Sequence, residues 1–127
     1  MNDFRARFDS SGIEGLLKDY FDLLYTQDMD LFERVFHPDS VLYSAQDGEV
    51  VVRPRAAYRA VMEGRQSPAE AGAPRHDEIL LIDVLSPEMA LVKVRLRLFG
   101  NTMEDYLNLL KVGERWTVAA KLYHRAA

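Results

Sequence analysis

Cysteine is absent from the 127-residue chain, which excludes disulfides, thiolate metal sites and a cysteine nucleophile. Long apolar runs are missing too. Nothing reaches the roughly 20 residues that cross a bilayer, and the opening stretch MNDFRARFDS lacks the apolar segment of a secretory signal. A cytoplasmic location is therefore the expectation, with no membrane partner. Histidine occurs only at His37, His76 and His124, without close spacing and without an H-E-x-x-H pattern, so nothing supports a metal site. There is no glycine-rich phosphate loop and no G-x-S-x-G elbow, which argues against a nucleotide-binding loop and a serine hydrolase of the usual kind. No cofactor is expected. Basic charge is in deficit: 16 Lys and Arg against 20 Asp and Glu give a net charge of −4. Such a balance argues against nonspecific nucleic-acid binding, which phosphate neutralisation drives.

What is present reads as an ordinary soluble domain. Hydrophobic residues make up 48% and charged residues 28%, and the length suits a single domain, residues 1–127, with a modest core. Ser11 and Glu14 form an S-x-x-E capping box that opens a helix carrying Ile13, Leu16, Leu17, Tyr20 and Leu24 at helical spacing. Asp30 with Glu33 repeats that pattern for a short second helix burying Leu31, Phe32, Val35 and Phe36, which Pro38 is expected to stop. His37, beside that proline, is expected to serve the helix end. Val41 to Val52 reads as a hairpin around Asp47-Gly48. Pro54 fits the first turn of a third helix, which sends Tyr58, Val61 and Met62 inward and ends at Gly64. RQSPAEAGAP is a surface loop. Strands follow: HDEILLIDVL and MALVKVRLRLF joined by SPE, then two more meeting at Gly113-Glu114, a type II′ signature.

Helices first and antiparallel strands after indicate an α+β layer structure. If Val112 and Arg115 flank a two-residue turn, Asp105 lies opposite Leu122. Met103, Asp105, Leu107 and Leu109 then share a dry face with Trp116, Val118, Ala120, Leu122 and His124. Tyr106, Asn108, Lys121 and Tyr123 fall on the opposite face. The assignment depends on register, because a one-residue slip turns every side chain of a strand over. A carboxylate among apolar neighbours is the feature that calls for explanation. Burial without a partner favours the neutral acid, which can donate a hydrogen bond to a ligand oxygen. The structural alternatives are a contact with His124 or a main-chain N–H, or a place at an exposed rim.

Three stretches, YFDLLYTQDMDLFERVFHPDSVLY, ILLIDVLSPEMALVKV and MEDYLNLLKVGERWTVAAKLYH, together resemble the nuclear-transport-factor-2-like superfamily, closest to its SnoaL-like and putative lumazine-binding branches. The resemblance implies a curved, mixed but mainly antiparallel sheet wrapped around the N-terminal helices, a cystatin-like cone with an internal pocket. It also implies a homodimer through the outer sheet face, for which Arg95, Arg97, Tyr106, Asn108, Lys121 and Tyr123 are the candidates. Ketosteroid isomerase belongs to the same superfamily. Tyr20 stands where its oxyanion-hole tyrosine stands, Asp105 matches its protonated aspartate, and Ser44 occupies the position of the catalytic base.

The resulting expectation is a binder of a small, largely apolar molecule, with Tyr20 and Asp105 as its polar contacts. Ser44, Tyr58, Met62, Leu107, Leu109 and Trp116 are the candidate pocket walls. An enzyme of the isomerase, dehydratase or cyclase kind would use Asp105 or His124 as acid–base group, with Tyr20 in support. The third alternative is a non-catalytic dimerisation module whose cone is filled by side chains. Lys93, Arg95 and Arg97 alternate along one strand and read as a solvated outer face with Glu104 as a possible partner.

Overall fold

The computed structural model describes residues 11–126, so the MNDFRARFDS segment lies outside the described residues. The chain runs through α1 (Ser11–Thr26), α2 (Met29–Val35), β1 (Phe36–Gln46), β2 (Glu49–Pro54) and α3 (Arg55–Glu63). Four long strands follow: β3 (Asp77–Ser86), β4 (Met89–Leu98), β5 (Asn101–Val112) and β6 (Arg115–Arg125). They form one six-stranded sheet in the order β2-β1-β6-β5-β4-β3. Every neighbouring pair is antiparallel except β1 with β6. A mixed α+β cone of the expected kind results.

The apolar stripe of α1 buries Ile13, Leu16, Leu17, Tyr20, Phe21, Leu23 and Leu24, leaving Lys18, Asp19 and Asp22 toward water. Gln27, at φ 60, reverses the chain. Asp28 then caps α2 by accepting from the Asp30 N–H at 2.9 Å. The cap is thus Asp28 rather than Asp30, because Asp30 is already inside the first turn. Helix α2 ends at Val35, and Pro38 falls within β1 instead of terminating the helix. His37 accepts from the Asp39 N–H at 3.0 Å within that strand, so it does not serve the helix end. Pro54 is the N-cap of α3, and Gly64 closes it as expected. Val61 is 37% exposed, against expectation. On so short a helix, Tyr58 and Met62 at i and i+4 take the single buried face.

Helices and sheet meet in an aromatic cluster. The Phe32 ring lies 5.0 Å from that of Phe36, and Tyr58 sits 5.9 Å and 5.6 Å from the two. Tyr20 joins through Phe36 at 6.3 Å. Such pairs contribute about 0.5–1.5 kcal/mol each beyond their buried area. Leu107, Leu109, Val92, Val94 and Val118 supply the sheet side of the core. Trp116 packs so closely on α1 that a Cβ built on Gly12 would stand 2.9 Å from its Cδ1.

Four two-residue turns join the strands tightly, Pro87-Glu88 between the paired Ser86 and Met89 among them. Asp47 and Gly48 both have positive φ (53° and 81°), the type I′ combination, while Gly113 alone is positive (63°) in the last hairpin, as type II′ requires. Phe99-Gly100 forms a further type I′ turn with φ of 52° and 79°, between the paired Leu98 and Asn101. No turn residue in the sequence points to Phe99, since bulky side chains avoid that region.

The register of the last hairpin departs from simple alternation. Leu109 pairs with Val118, but Asn108 pairs with Ala120, so Ala119 is an extra residue in β6. The bulge turns over everything beyond it. Asp105 therefore lies opposite Tyr123, and Leu107 opposite Lys121. Lys121 and Tyr123 point into the cone instead of belonging to its outer face. Leu122 is 49% exposed and His124 is exposed opposite Glu104, so both leave the interior set to which simple alternation assigns them.

Candidate functional site

Asp105 is buried in the row that Leu107 and Leu109 continue, as its place in the strand pattern implies. Its Oδ2 accepts a 2.6 Å hydrogen bond from the Tyr20 hydroxyl on α1. The same oxygen lies 3.8 Å from the Lys121 ammonium. Asp105 is thus no lone acid on a dry face; the bulge in β6 supplies its cation. Neither His124 nor the rim explains it. Its Oδ1 is buried without a hydrogen-bond partner among the described residues.

Lys121 is itself only 4% exposed. Its Nζ lies 5.1 Å from the ring centre of Tyr20, 5.3 Å from that of Tyr58 and 5.8 Å from that of Tyr123. Three aromatic faces and one carboxylate thus surround a single ammonium. Burial pulls the Lys121 pKa down, but the oxygens of Tyr58 and Asp105 outweigh it, and the net direction is upward from 10.5. Tyr20 is held well above its ordinary 10.0, chiefly by burial and then by the neighbouring Asp105 charge. At neutral pH the cluster holds a neutral phenol and an ammonium.

Beside this cluster is a cavity of about 100 Å³, open on one side. Leu42, Leu96, Leu98 and Met103 make its apolar floor. Tyr58 and Tyr123 stand on its wall with Asp105 and Lys121, and Arg53 and Arg65 complete it. Of the six candidate wall residues, Tyr58 alone is among those lining this space. Met62, Leu107, Leu109 and Trp116 are core residues, each at most 3% exposed. Ser44 donates to the Tyr123 carbonyl at 3.0 Å, across to β6. Tyr20 does not line the cavity; it positions Asp105 from behind.

Sequence reading missed Lys121, Tyr123, Arg53 and Arg65 as site residues. The first two were hidden by the bulge, for which adjacent small residues at Ala119 and Ala120 are the faint signal. Arg53 follows from pairing, since it lies opposite Leu42, which in turn lies opposite Lys121. Arg65 comes from the end of α3, where no periodicity marks it. Among the described residues no group of acidic or histidine side chains could hold a metal ion, and no helix is long and apolar enough to cross a membrane.

Residues 9–124 match the family model described as Putative lumazine-binding. The chain belongs to that family. An NTF2-like protein of unknown function from Shewanella baltica OS155 superposes with a TM-score of 0.81 at 21% identity, covering 100% of this chain and 99% of that one. A second, from Silicibacter pomeroyi DSS-3, gives 0.75 at 20% identity over 91% and 93% of the two chains. A ketosteroid isomerase-like protein from Erwinia carotovora atroseptica SCRI1043 gives 0.71 at 14% identity, over 92% and 95%. No curated protein matches the chain. At these identities the structural likeness defines the fold.

Proposed function

We propose that this NTF2-like protein binds a small molecule in the cone, in contact with Asp105 and Lys121. The observation that carries this reading is the cavity of about 100 Å³ beside a buried charge pair. Simple alternation in β6 would bury Leu122 and leave Lys121 in water. The fold instead spends a bulge to bury the lysine, at a cost in desolvation that an apolar core would not incur. Local rules broken in this way concentrate at functional sites. At about 100 Å³ the cavity is smaller than the roughly 150 Å³ in which an enclosed benzene is bound, but it is open on one side, so its apolar floor and few converging polar groups suit a small ligand that extends into the mouth.

Binding is favoured over isomerase-type catalysis. The Ser44 hydroxyl is engaged with a carbonyl, His124 faces outward, and Asp105 already accepts from Tyr20. The experiment is titration with benzyl alcohol, followed through the methyl resonances of Leu96, Leu98 and Met103. Shifts confined to that floor are expected. Unmoved methyls would favour a cone that serves only as a scaffold.

A second observation favours self-association. The outer sheet face carries a cross-strand row of Leu81, Lys93, Tyr106, Leu122, Tyr43 and Val52, in register across all six strands. Tyr106 and Leu122 are 44% and 49% exposed. The charges nearby are internally matched: Lys93 lies 3.6 Å and Arg95 3.8 Å from Glu104. A face that is apolar and self-neutralised can meet its own copy without like-charge repulsion. Arg95, Arg97, Tyr106 and Asn108 remain candidates for it; Lys121 and Tyr123 do not. Sedimentation as a dimer at micromolar concentration, lost in Leu122→Glu, is the expected result.

A further inference from the structure

We propose that the ligand of this cavity is a small monocarboxylate, its carboxylate seated against Arg65 and its apolar body on the Leu98 and Met103 floor. The proposal rests on the binding reading above and names the ligand's chemical class.

Charge is the first observation. The chain carries a net −4, yet the cavity wall sets Arg53, Arg65 and Lys121 against Asp105 alone. Asp105 answers Lys121 at 3.8 Å, and the two arginines are left over. Arginines elsewhere find carboxylates: Arg34 meets Asp19, Arg55 and Arg59 meet Glu33, Arg75 meets Asp22, and Arg95 meets Glu104. Arg97, Arg115 and Arg125 do not, but they stand exposed to water. Arg53 and Arg65 are partly buried at the cavity and meet no carboxylate among the described residues. A desolvated guanidinium without a counter-ion is unfavourable, and an anionic ligand removes that deficit.

How Arg65 is held is the second observation. Its Nε donates to Gln27 Oε1 at 3.0 Å, and its guanidinium lies 4.7 Å from the centre of the Phe99 ring. Gln27 and Phe99 have φ of 60° and 52°. The third non-glycine residue of this kind, Asp47, sits in an Asp-Gly turn where positive φ is ordinary. The two unexpected strained positions are therefore the two that fix Arg65. Strain of this sort gathers at ligand clamps. The Nη2 of the clamped arginine is buried and has no acceptor among the described residues.

A carboxylate fits better than a phosphate. With Nε taken by Gln27, the guanidinium presents one free edge, which a planar monoanion matches. A dianion would bring its second charge into a small cavity that already holds Asp105. The test titrates wild type and Arg65→Gln with benzoate, benzamide and phenyl phosphate, following the Leu98 and Met103 methyl resonances. Benzoate is expected to bind wild type at least tenfold more tightly than either of the others. In Arg65→Gln, benzoate affinity should fall to that of benzamide. Equal affinity of benzoate and benzamide in wild type, a preference for phenyl phosphate, or an undiminished benzoate preference in Arg65→Gln would overturn the carboxylate proposal and leave the binding reading standing. Unmoved methyls with all three compounds would overturn both.

Discussion

Replacing Lys121 by methionine keeps the aliphatic stem against the tyrosine rings and removes only the ammonium. Asp105 then keeps a single compensating contact, the Tyr20 hydroxyl at 2.6 Å, while its Oδ1 still lacks one. Removing one partner of a buried ion pair costs about 3–5 kcal/mol, because the remaining charge stays desolvated. Against a total stability of about 5–15 kcal/mol, that is a fifth or more of what holds a small domain. For a chain of this size the melting temperature should drop by about 10–20 °C. The converse change, Asp105→Asn, should cost less, about 1–3 kcal/mol, because Lys121 keeps three aromatic faces between 5.1 and 5.8 Å away. The double variant should recover at least about 2 kcal/mol of the summed losses. Urea unfolding of the four proteins, with slopes compared to confirm one transition, closes the cycle. A Lys121→Met cost below about 1 kcal/mol, or strict additivity in the double variant, would refute the reading of Lys121 and Asp105 as a coupled buried pair.

Alkaline conditions probe the same cluster. Tyr20 and Lys121 both have folded pKa values raised above their ordinary 10.0 and 10.5. The folded state therefore holds those protons more tightly, and the associated stability is complete below about pH 10 and lost as pH rises through the folded values. Unfolding free energy should fall above pH 10 by up to about 2.7 kcal/mol per unit if both groups contribute, and more shallowly in Tyr20→Phe; a flat profile counts against the linkage. Gly12→Ala, although alanine is the better helix former, should destabilise by about 1–2 kcal/mol, because its Cβ meets the buried Trp116 ring; a stabilised variant in thermal melts would contradict that packing. Phe99→Asn should relieve backbone strain and stabilise by about 0.5–1 kcal/mol while weakening benzoate binding, since Arg65 loses its stacking partner; affinity unchanged in that variant would separate the strained turn from the site.

The scaffold was legible because its signals are local. Helical spacing from Ile13 to Leu24 and the Asp47-Gly48 and Gly113-Glu114 turns each announce an element without reference to the rest. Asp105 was legible as an anomaly, a carboxylate in an apolar row. Its partner was not, because alternation in β6 offers Leu122 and His124 to the interior, and only the paired strand shows that Ala119 breaks the count. The error was one residue in register, yet it moved Lys121 from surface to centre. Leu107, Leu109, Met62 and Trp116 were misplaced for another reason: nothing in an apolar residue's spacing says whether it faces a void or a neighbour. Arg65 depends on two strained residues far apart in sequence, which composition cannot reveal.

The extra residue in β6 also has an evolutionary consequence. Loss of the single codon for Ala119 would remove the irregularity and leave Lys121 and Tyr123 facing inward, because the residues beyond it keep their partners on β5. Straightening β6 at its present length is the damaging event: it would slip the strand by one residue, bring Leu122 inward and send Lys121 out to solvent. The charged lining of the cone is thus open to a one-residue deletion in this strand and closed to a one-residue slip.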